Sequence, residues 1–548
     1  MRHRAGRIGS LFVAGALAAG VVTAPSALVP GLSAPSYADP APAKSRILDA
    51  AWQGDHRVDL TVFSAAMGAP VKVQLLLARD WHANPKAKFP TLYLLDGMRA
   101  RDDQSGWLLE TDVADFYRDK NVTVVLPVGG QSSWYTDWRR PDNGKNYQWE
   151  TFLAKELPPL LKQQWRTTDG RAAAGVSMGG TAAVTLAARN KGLYRFAGSY
   201  SGILATSSPG TPESIALAMR DAGNFNADAM YGPPNDPAWA EHDPLKLAAQ
   251  LRGTSLYFSS GNGSAPTAGQ PTDLSAMALE VLSRSSNQAF AVELNKQGIP
   301  ANAVYRPSGT HSWPYWQFEN GQSWPQVQAA LGVGNPAPCT AAGAIGELAP
   351  KAPALGKCVT VEYPVPGGRA QDFRGGQIFW STDSGAEVVG GAIGGAYLGA
   401  GGPGGALGFP TGAERPLADK KGRYQQFQGG TVYWTPETGA RAVRGEIGKK
   451  YAALGFEKSP VGLPVGDETP VRGGGAFQRF QGGVLYWSPK TPAVVVPKGP
   501  IFSEWGKQGY EGGRLGYPVA DAAPVPGGLE QRFEHGAIAL VNGIAQVR

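Results

Sequence analysis

The sequence predicts a two-part chain: an α/β half in which short apolar strands alternate with helical stretches, then a β-rich half built from repeats. Three observations carry this. Between Asp59 and Gln297, apolar runs of strand length alternate with segments of helical spacing. One strand, residues 172–176, leads into Gly175-Val176-Ser177-Met178-Gly179 and then into a run of good helix formers, residues 181–188. Further on, Leu407-Gly-Phe-Pro410, Val461-Gly-Leu-Pro464 and Leu515-Gly-Tyr-Pro518 recur at spacings of 54 and 54 residues.

With 548 residues the chain is too long for one ordinary domain. Residues 1–38 read as a secretory signal. Arg2, Arg4 and Arg7 form a basic head, residues 8–22 are apolar, and Ser36-Tyr37-Ala38 offers small residues for cleavage before Asp39. A membrane anchor is the competing reading, but the apolar run is short and interrupted by Pro25 and Pro30, which favours removal. No later segment is long and apolar enough to span a bilayer, so no transmembrane segment is expected in the mature chain. Residues 339–548 hold 21 Lys/Arg against 17 Asp/Glu, whereas residues 39–338 hold 27 of each. That small excess points to an acidic surface and to no nucleic acid. The two cysteines, Cys339 and Cys358, are expected to form one structural disulfide in an exported chain, worth about 3 kcal/mol on the chain-entropy model. No metal site and no cofactor are expected.

Residues 71–78, 91–95, 122–128 and 255–259 read as strands, the central ones fully apolar as in buried parallel sheets. Residues 151–165 have helical spacing, with Phe152, Leu157, Leu160 and Leu161 on one side, and residues 274–297 read as a long helix. The strand–turn–helix context around Ser177 then predicts the α/β-hydrolase fold. Glycines flank the serine because the sharp turn brings backbone segments together, where a Cβ would clash. The helix that follows aims its N-terminal N–H groups at negative charge forming near Oγ. Without that context the pattern is a chance match, since Gly and Ser are common in turns.

In that fold the chain order is nucleophile, acid, base. Of six histidines, His3 leaves with the signal, His56 and His82 precede Ser177, and His535 lies among the repeats. His242 and His311 remain. His311 lies in a loop before dense aromatics, whereas His242 reads as a surface turn or helix cap. Spacing leaves the acid open among Asp243, Asp273, Glu280 and Glu293. The loop after strand 91–95 places the Met98 N–H to pair with that of Met178 as an oxyanion hole, with Asp96 and Arg99 as flanking polar groups. The competing reading of that loop is a glycine turn with an incidental ion pair.

Residues 81–316 resemble the mycolyltransferases of the antigen 85 type. The matching stretches include Tyr93-Leu-Leu-Asp-Gly-Met-Arg-Ala100, Pro127-Val-Gly-Gly-Gln-Ser-Ser-Trp-Tyr-Thr-Asp-Trp138, Tyr200-Ser-Gly202, Ser260-Gly-Asn-Gly263 and Gly309-Thr-His-Ser-Trp313. The resemblance implies Ser177 as nucleophile, Glu280 as acid and His311 as base, an oxyanion hole from Met98 and Met178, and trehalose contacts by Asp96, Arg99 and Trp313. It implies transfer of a mycolyl group from trehalose monomycolate to a second trehalose monomycolate or to arabinogalactan. Two residues depart from the pattern: Glu110 stands for an asparagine near the sugar site, and Ser260 for a cysteine near the triad. The aromatics Trp313, Tyr315, Trp316, Phe318 and Trp324 suit water exclusion beside a sugar, with core packing as the alternative beyond Trp313.

Residues 39–333 are thus assigned to the catalytic half, 334–342 to a linker and 343–548 to four units. Phe373-Arg-Gly-Gly, Phe427-Gln-Gly-Gly, Phe480-Gln-Gly-Gly and Phe533-Glu-His-Gly recur at 54, 53 and 53 residues, and each Gly-Gly reads as a hairpin turn. The units resemble LGFP repeats, which implies attachment to a cell-wall glycan and an envelope location; a plain spacer is the competing reading. Two rival functions stand beside acyl transfer. One is a secreted carboxylesterase using water, and the other a wall-binding protein on an inactive scaffold.

Overall fold

The computed structural model describes residues 44–264 and 273–548. The expected signal segment lies outside the described residues. Nine strands form one sheet: β1 (Arg46–Trp52), β2 (Arg57–Ser64), β3 (Ala69–Leu76), β4 (Phe89–Leu95), β5 (Thr123–Val128), β6 (Thr167–Val176), β7 (Phe196–Tyr200), β8 (Ser255–Ser260) and β9 (Asn302–Tyr305). Their order is 1-2-3-5-4-6-7-8-9, antiparallel through the β3–β5 pair and parallel from there on. β4, β5 and β7 are buried along nearly their whole length, as their unbroken apolar character requires once both faces are covered. Separate apolar cores fill the two faces, one around Trp149, Phe152 and Trp239, the other around Trp107, Tyr117 and Trp316.

The helix expected over 151–165 is not uniform. Residues Phe152–Glu156 form a π-helical turn between Trp149–Thr151 and Leu157–Gln164. Pro158 and Pro159 explain this: neither has an N–H to return to the preceding turn, which widens. The long helix, Leu274–Lys296, starts on Asp273, whose carboxylate accepts from the N–H groups of Ser275 and Ala276.

Four four-stranded antiparallel sheets follow, spanning Tyr363–Val389, Arg415–Arg444, Thr469–Pro497 and Ala523–Val547. Only the first glycine of each Gly-Gly lies in the hairpin turn; the second opens the next strand, as Phe373 pairs with Gly376 and Phe427 with Gly430. Helices Gly391–Gly399, Gly445–Leu454 and Pro500–Lys507 stand between successive sheets, and each packs on the sheet that follows it. The recurrent motif has a local cause. Gly408, Gly462 and Gly516 all have positive φ, near +64°, +66° and +70°. A Cβ there would meet the Gln428, Gln481 or Glu534 carboxyl or amide oxygen at 2.4–2.6 Å. Those same oxygens accept from the N–H groups of Phe409, Leu463 and Tyr517. Tyr397 and Tyr451 donate to the carbonyls of Gly408 and Gly462 at 2.8 and 3.0 Å. In the last unit Trp505 takes the tyrosine's place, and its buried Nε1–H has no partner among the described residues.

Residues 333–342 carry no regular element, yet they are tied down. Cys339 is disulfide-bonded to Cys358, and Gln371 donates to the Thr340 carbonyl at 3.1 Å. The first repeat unit docks on the α/β half. Arg79 donates to the Val359 carbonyl, and Arg118 pairs with Asp55 while donating to the Phe373 carbonyl. Arg374 pairs in return with Asp115, and Trp52 lies against Gly395 and Gly399. Trp52, Asp55 and Arg79 lie at or just past antiparallel strand ends beside the N-terminal end of β5, and Asp115 and Arg118 lie in and just after the short helix Val113–Tyr117 that precedes β5. Among the described residues no helix is long and apolar enough to cross a membrane.

Candidate active site

At the opposite rim, the C-terminal ends of β4, β6 and β8 converge. Ser177 stands between β6 and helix Met178–Arg189 with φ 53° and ψ −121°, a conformation few non-glycine residues adopt. The turn closes because Gly175 and Gly179 have no side chains. A Cβ on Gly175 would meet the Gly179 backbone at 2.4 Å, and one on Gly179 would meet the Leu95 and Asp96 carbonyls at 2.5 Å. The Ser177 N–H donates to the Tyr200 carbonyl at 2.8 Å, which fixes the apex on β7.

Seven of the residues singled out in the sequence, Asp96, Met98, Arg99, Ser177, Met178, His311 and Trp313, line one cavity of about 540 Å³. Ile203, Ile215, Ala218, Leu279 and Leu282 form its apolar walls. Neither Met98 nor Met178 gives its backbone N–H to an acceptor among the described residues. Glu280 stands behind His311, on a second cavity of about 680 Å³ that shares the histidine.

Of the four acids left open by spacing, Glu280 is the one bonded to His311: its Oε2 accepts from or shares the proton of Nδ1 at 2.9 Å. Its Oε1 accepts from Ser201 Oγ at 2.9 Å and from the Gly261 N–H at 2.5 Å, so a fully buried carboxylate is completely satisfied. Asp243 instead caps a turn through Ser207 and Leu245, Asp273 caps the helix, and Glu293 bonds Gln297. His242 ends helix Ala238–Glu241, stacked on Tyr231 with ring centroids 4.3 Å apart, and lines neither cavity.

Sequence reasoning gave no role to Ser201. Its φ is 57°, and its hydroxyl links the Trp316 indole N–H, at 3.0 Å, to Glu280. Trp316 also sets its ring edge-on to that of His311, centroids 5.0 Å apart. The only signal for Ser201 was the Tyr200-Ser-Gly202 string, which carries no chemistry by itself. Arg284, one turn beyond Glu280, donates to the carbonyls of Gly261 and Arg306 and so ties together the loops on either side of the acid.

The polar end of the cavity departs from the incidental-ion-pair reading of its loop, while Asp96 and Arg99 both line the cavity. Asp96 does not pair with Arg99. It accepts from Ser105 Oγ at 3.2 Å and from the Gly106 N–H at 3.0 Å, and burial pushes its carboxyl up to about 7. Arg99 reaches across the mouth to Asp221 at 2.6 Å. Trp313 is held over Gly106, where a Cβ would come within 2.5 Å of the indole. The aromatic set divides. Trp313 and Trp316 line the cavity, Tyr315 and Phe318 line the second one, and Trp324 packs on Tyr117 in the core. Glu110 is at the mouth; Ser260 is buried and its hydroxyl has no partner among the described residues.

A serine on a strained strand-to-helix turn, within one cavity with a carboxylate-bound histidine, defines the class of α/β-hydrolases. The comparisons agree and go further. A putative esterase family matches residues 64–319, and the LGFP repeat matches residues 355–405, 407–459 and 461–513. The chain is 41% identical over 283 residues to the diacylglycerol acyltransferase/mycolyltransferase Ag85B of Mycobacterium intracellulare, covering 50% of this chain and 83% of that protein. It is 43% identical over 284 residues to the Ag85A enzyme of Mycobacterium leprae, again covering 50% and 83%. The crystal structure of MPT51 (FbpC1) from Mycobacterium tuberculosis is 29% identical with a TM-score of 0.44, covering 50% of this chain and 97% of that one. This chain belongs to the Ag85 family of diacylglycerol acyltransferases/mycolyltransferases and carries LGFP repeats behind its esterase-fold domain.

Proposed function

We infer that this protein moves a mycolyl group from trehalose monomycolate, through an acyl-enzyme on Ser177, to a sugar hydroxyl. The observation that carries this is one cavity holding Ser177, the Glu280-bound His311, two free backbone N–H groups, an apolar wall and a polar end. His311 takes the Ser177 Oγ proton as Oγ attacks the ester carbonyl, while Glu280 holds the ring and stabilises its charged form. The N–H groups of Met98 and Met178 bind the oxyanion. Collapse breaks the ester C–O bond, trehalose leaves with the proton from His311, and the acyl group stays on Oγ. An acceptor hydroxyl then repeats these steps in reverse. The acceptor is a second trehalose monomycolate, giving the dimycolate, or cell-wall arabinogalactan. Asp96, Arg99 and Trp313 hold the sugar, which keeps water from the acyl-enzyme.

The chain acts outside the cell membrane: residues 1–38 export it, residues 39–333 catalyse, and the repeats, beyond a linker at 334–342, bind a wall glycan. Incubating the purified protein with trehalose monomycolate tests the reading. Dimycolate is expected as the main product; free mycolic acid with the sugar acceptor in excess makes the protein an esterase.

A further inference from the structure

The two most exposed large apolar side chains among the described residues stand beside the cavity's mouth. Leu274 is 76% and Leu217 66% exposed, the two highest values for large apolar side chains among the described residues; Leu109 at 44% and Leu279 at 40% join them. They come from three separate helices, Gly106–Glu110, Thr211–Gly223 and Leu274–Lys296. Leu109 and Leu279 are themselves walls of the cavity. Leu274 stands between Asp273 and Ser275, which both line it, and Leu217 flanks the lining residues Ser214, Ala218 and Asp221 on its helix. One exposed leucine needs no explanation, but four around a single opening form a patch continuous with an apolar interior.

The charges at the rim say which apolar partner fits. Arg99 is paired with Asp221 at 2.6 Å and Arg101 with Asp103 at 2.7 Å, while Glu110 and Asp273 add negative charge. The exposed Arg220, one turn beyond Leu217, has no ion-pair partner among the described residues, but Asp103, Glu110, Asp221 and Asp273 outnumber Arg99, Arg101 and Arg220, so the rim repels an anionic headgroup and sets no charge penalty on an uncharged one. The rim also faces away from the docked repeat unit, which holds the opposite ends of the strands.

We propose that this rim docks the enzyme onto an aggregate of uncharged, sugar-headed lipid, so that the acyl donor slides into the cavity from the lipid layer and not from solution. The proposal rests on the acyl-transfer reading above and adds the physical state of the substrate. The leucines enter the headgroup–acyl boundary much as the apolar face of an interfacial helix does.

The test uses the full chain and its Leu217→Ser and Leu217→Phe variants, since Leu217 flanks the cavity without lining it. Cosedimentation is measured with vesicles of a neutral trehalose diester and with phosphatidylglycerol vesicles. Rates are measured on a soluble p-nitrophenyl butyrate and on trehalose monoester above and below its aggregation point. The wild type is expected to bind the neutral vesicles better and to gain rate on aggregation. Leu217→Ser should bind them about tenfold less and lose that gain, with its rate on the soluble ester unchanged. Leu217→Phe should restore both. Equal neutral-vesicle binding by wild type and Leu217→Ser overturns the proposal, as does preference for the anionic vesicles. A wild type active on the soluble ester but indifferent to aggregation defeats the docking alone, whereas one inert on both substrates defeats the acyl-transfer reading.

Discussion

The two halves of the chain use glycine and aromatic residues for different ends. In the repeats, Gly408, Gly462 and Gly516 meet the same need three times: a left-handed turn capped by a side-chain oxygen and closed, in two units, by a tyrosine hydroxyl. In the α/β half, Gly175 and Gly179 serve one turn, and that turn presents a serine. What recurs solves a packing problem; what occurs once, with its polar groups directed at one atom, carries chemistry.

The comparison breaks first at Ser177. Ser177→Ala is expected to lower kcat for acyl transfer about 10⁶-fold and Glu280→Gln about 10⁴-fold, with unchanged thermal unfolding temperatures. Steady-state rates on any activated ester check this, and retained activity in Ser177→Ala would remove the nucleophile from the account. Gly179→Ala forces the elbow apart from the Leu95 and Asp96 carbonyls; a displacement of about 1 Å at the reacting atom should cost about 100-fold in kcat/KM.

In the other half, effects should appear in stability and not in rate. Arg118→Ala leaves the nearly buried Asp55 without its partner and frees the Phe373 carbonyl, a loss of about 3–5 kcal/mol by chemical denaturation with kcat on a soluble ester preserved. Tyr451→Phe deletes one hydrogen bond to Gly462 and should cost about 1 kcal/mol, whereas the last unit, with Trp505, has no such bond to lose.

A further effect is one of pH. Burial lifts the Asp96 carboxyl from 3.8 to about 7, so across that window the folded state holds a proton that the unfolded state has released. Its contribution to stability is therefore largest below 3.8 and declines as pH rises towards 7. Buried His56 works the other way: its imidazole is lowered from 6.5 to about 3, so stability is lost as pH falls below 6.5. The difference between wild type and Asp96→Asn isolates the first effect. The variant should gain in relative stability as pH is raised from 4 to 7, and a constant difference in melting temperature would count against a protonated Asp96.

Much of this organisation was legible in the sequence because it is written locally. The elbow, the long helix over 274–296 and the repeat period each follow from residues within one turn or one unit. Other features depend on partners far along the chain. The π turn at 152–156 needs two prolines and a sheet neighbour: Glu156 accepts from Ser64 Oγ at 2.6 Å. β7, with Phe-Ala-Gly-Ser-Tyr, and β9, with one exposed and three half-exposed residues, are too short or too small to announce themselves. Helix Thr211–Gly223, which walls the cavity, passed unread although Pro212 at its start and Asn224 in the left-handed region after its end mark both limits. Ser201 was invisible for a deeper reason: its role exists only once Glu280 and Trp316, more than 75 residues away, have been folded onto it. The docking of the first repeat on the α/β half was equally hidden, since the partners of Arg79, Arg118 and Arg374 lie 63 to 280 residues along the chain or across the two halves.

The most direct test is intact-protein mass spectrometry after brief exposure to an activated long-chain ester, with peptide mapping. A single acyl adduct on Ser177, absent from Ser177→Ala and discharged on adding trehalose monoester, is the result predicted. Turnover of the ester without any adduct, or an adduct on another residue, would contradict it.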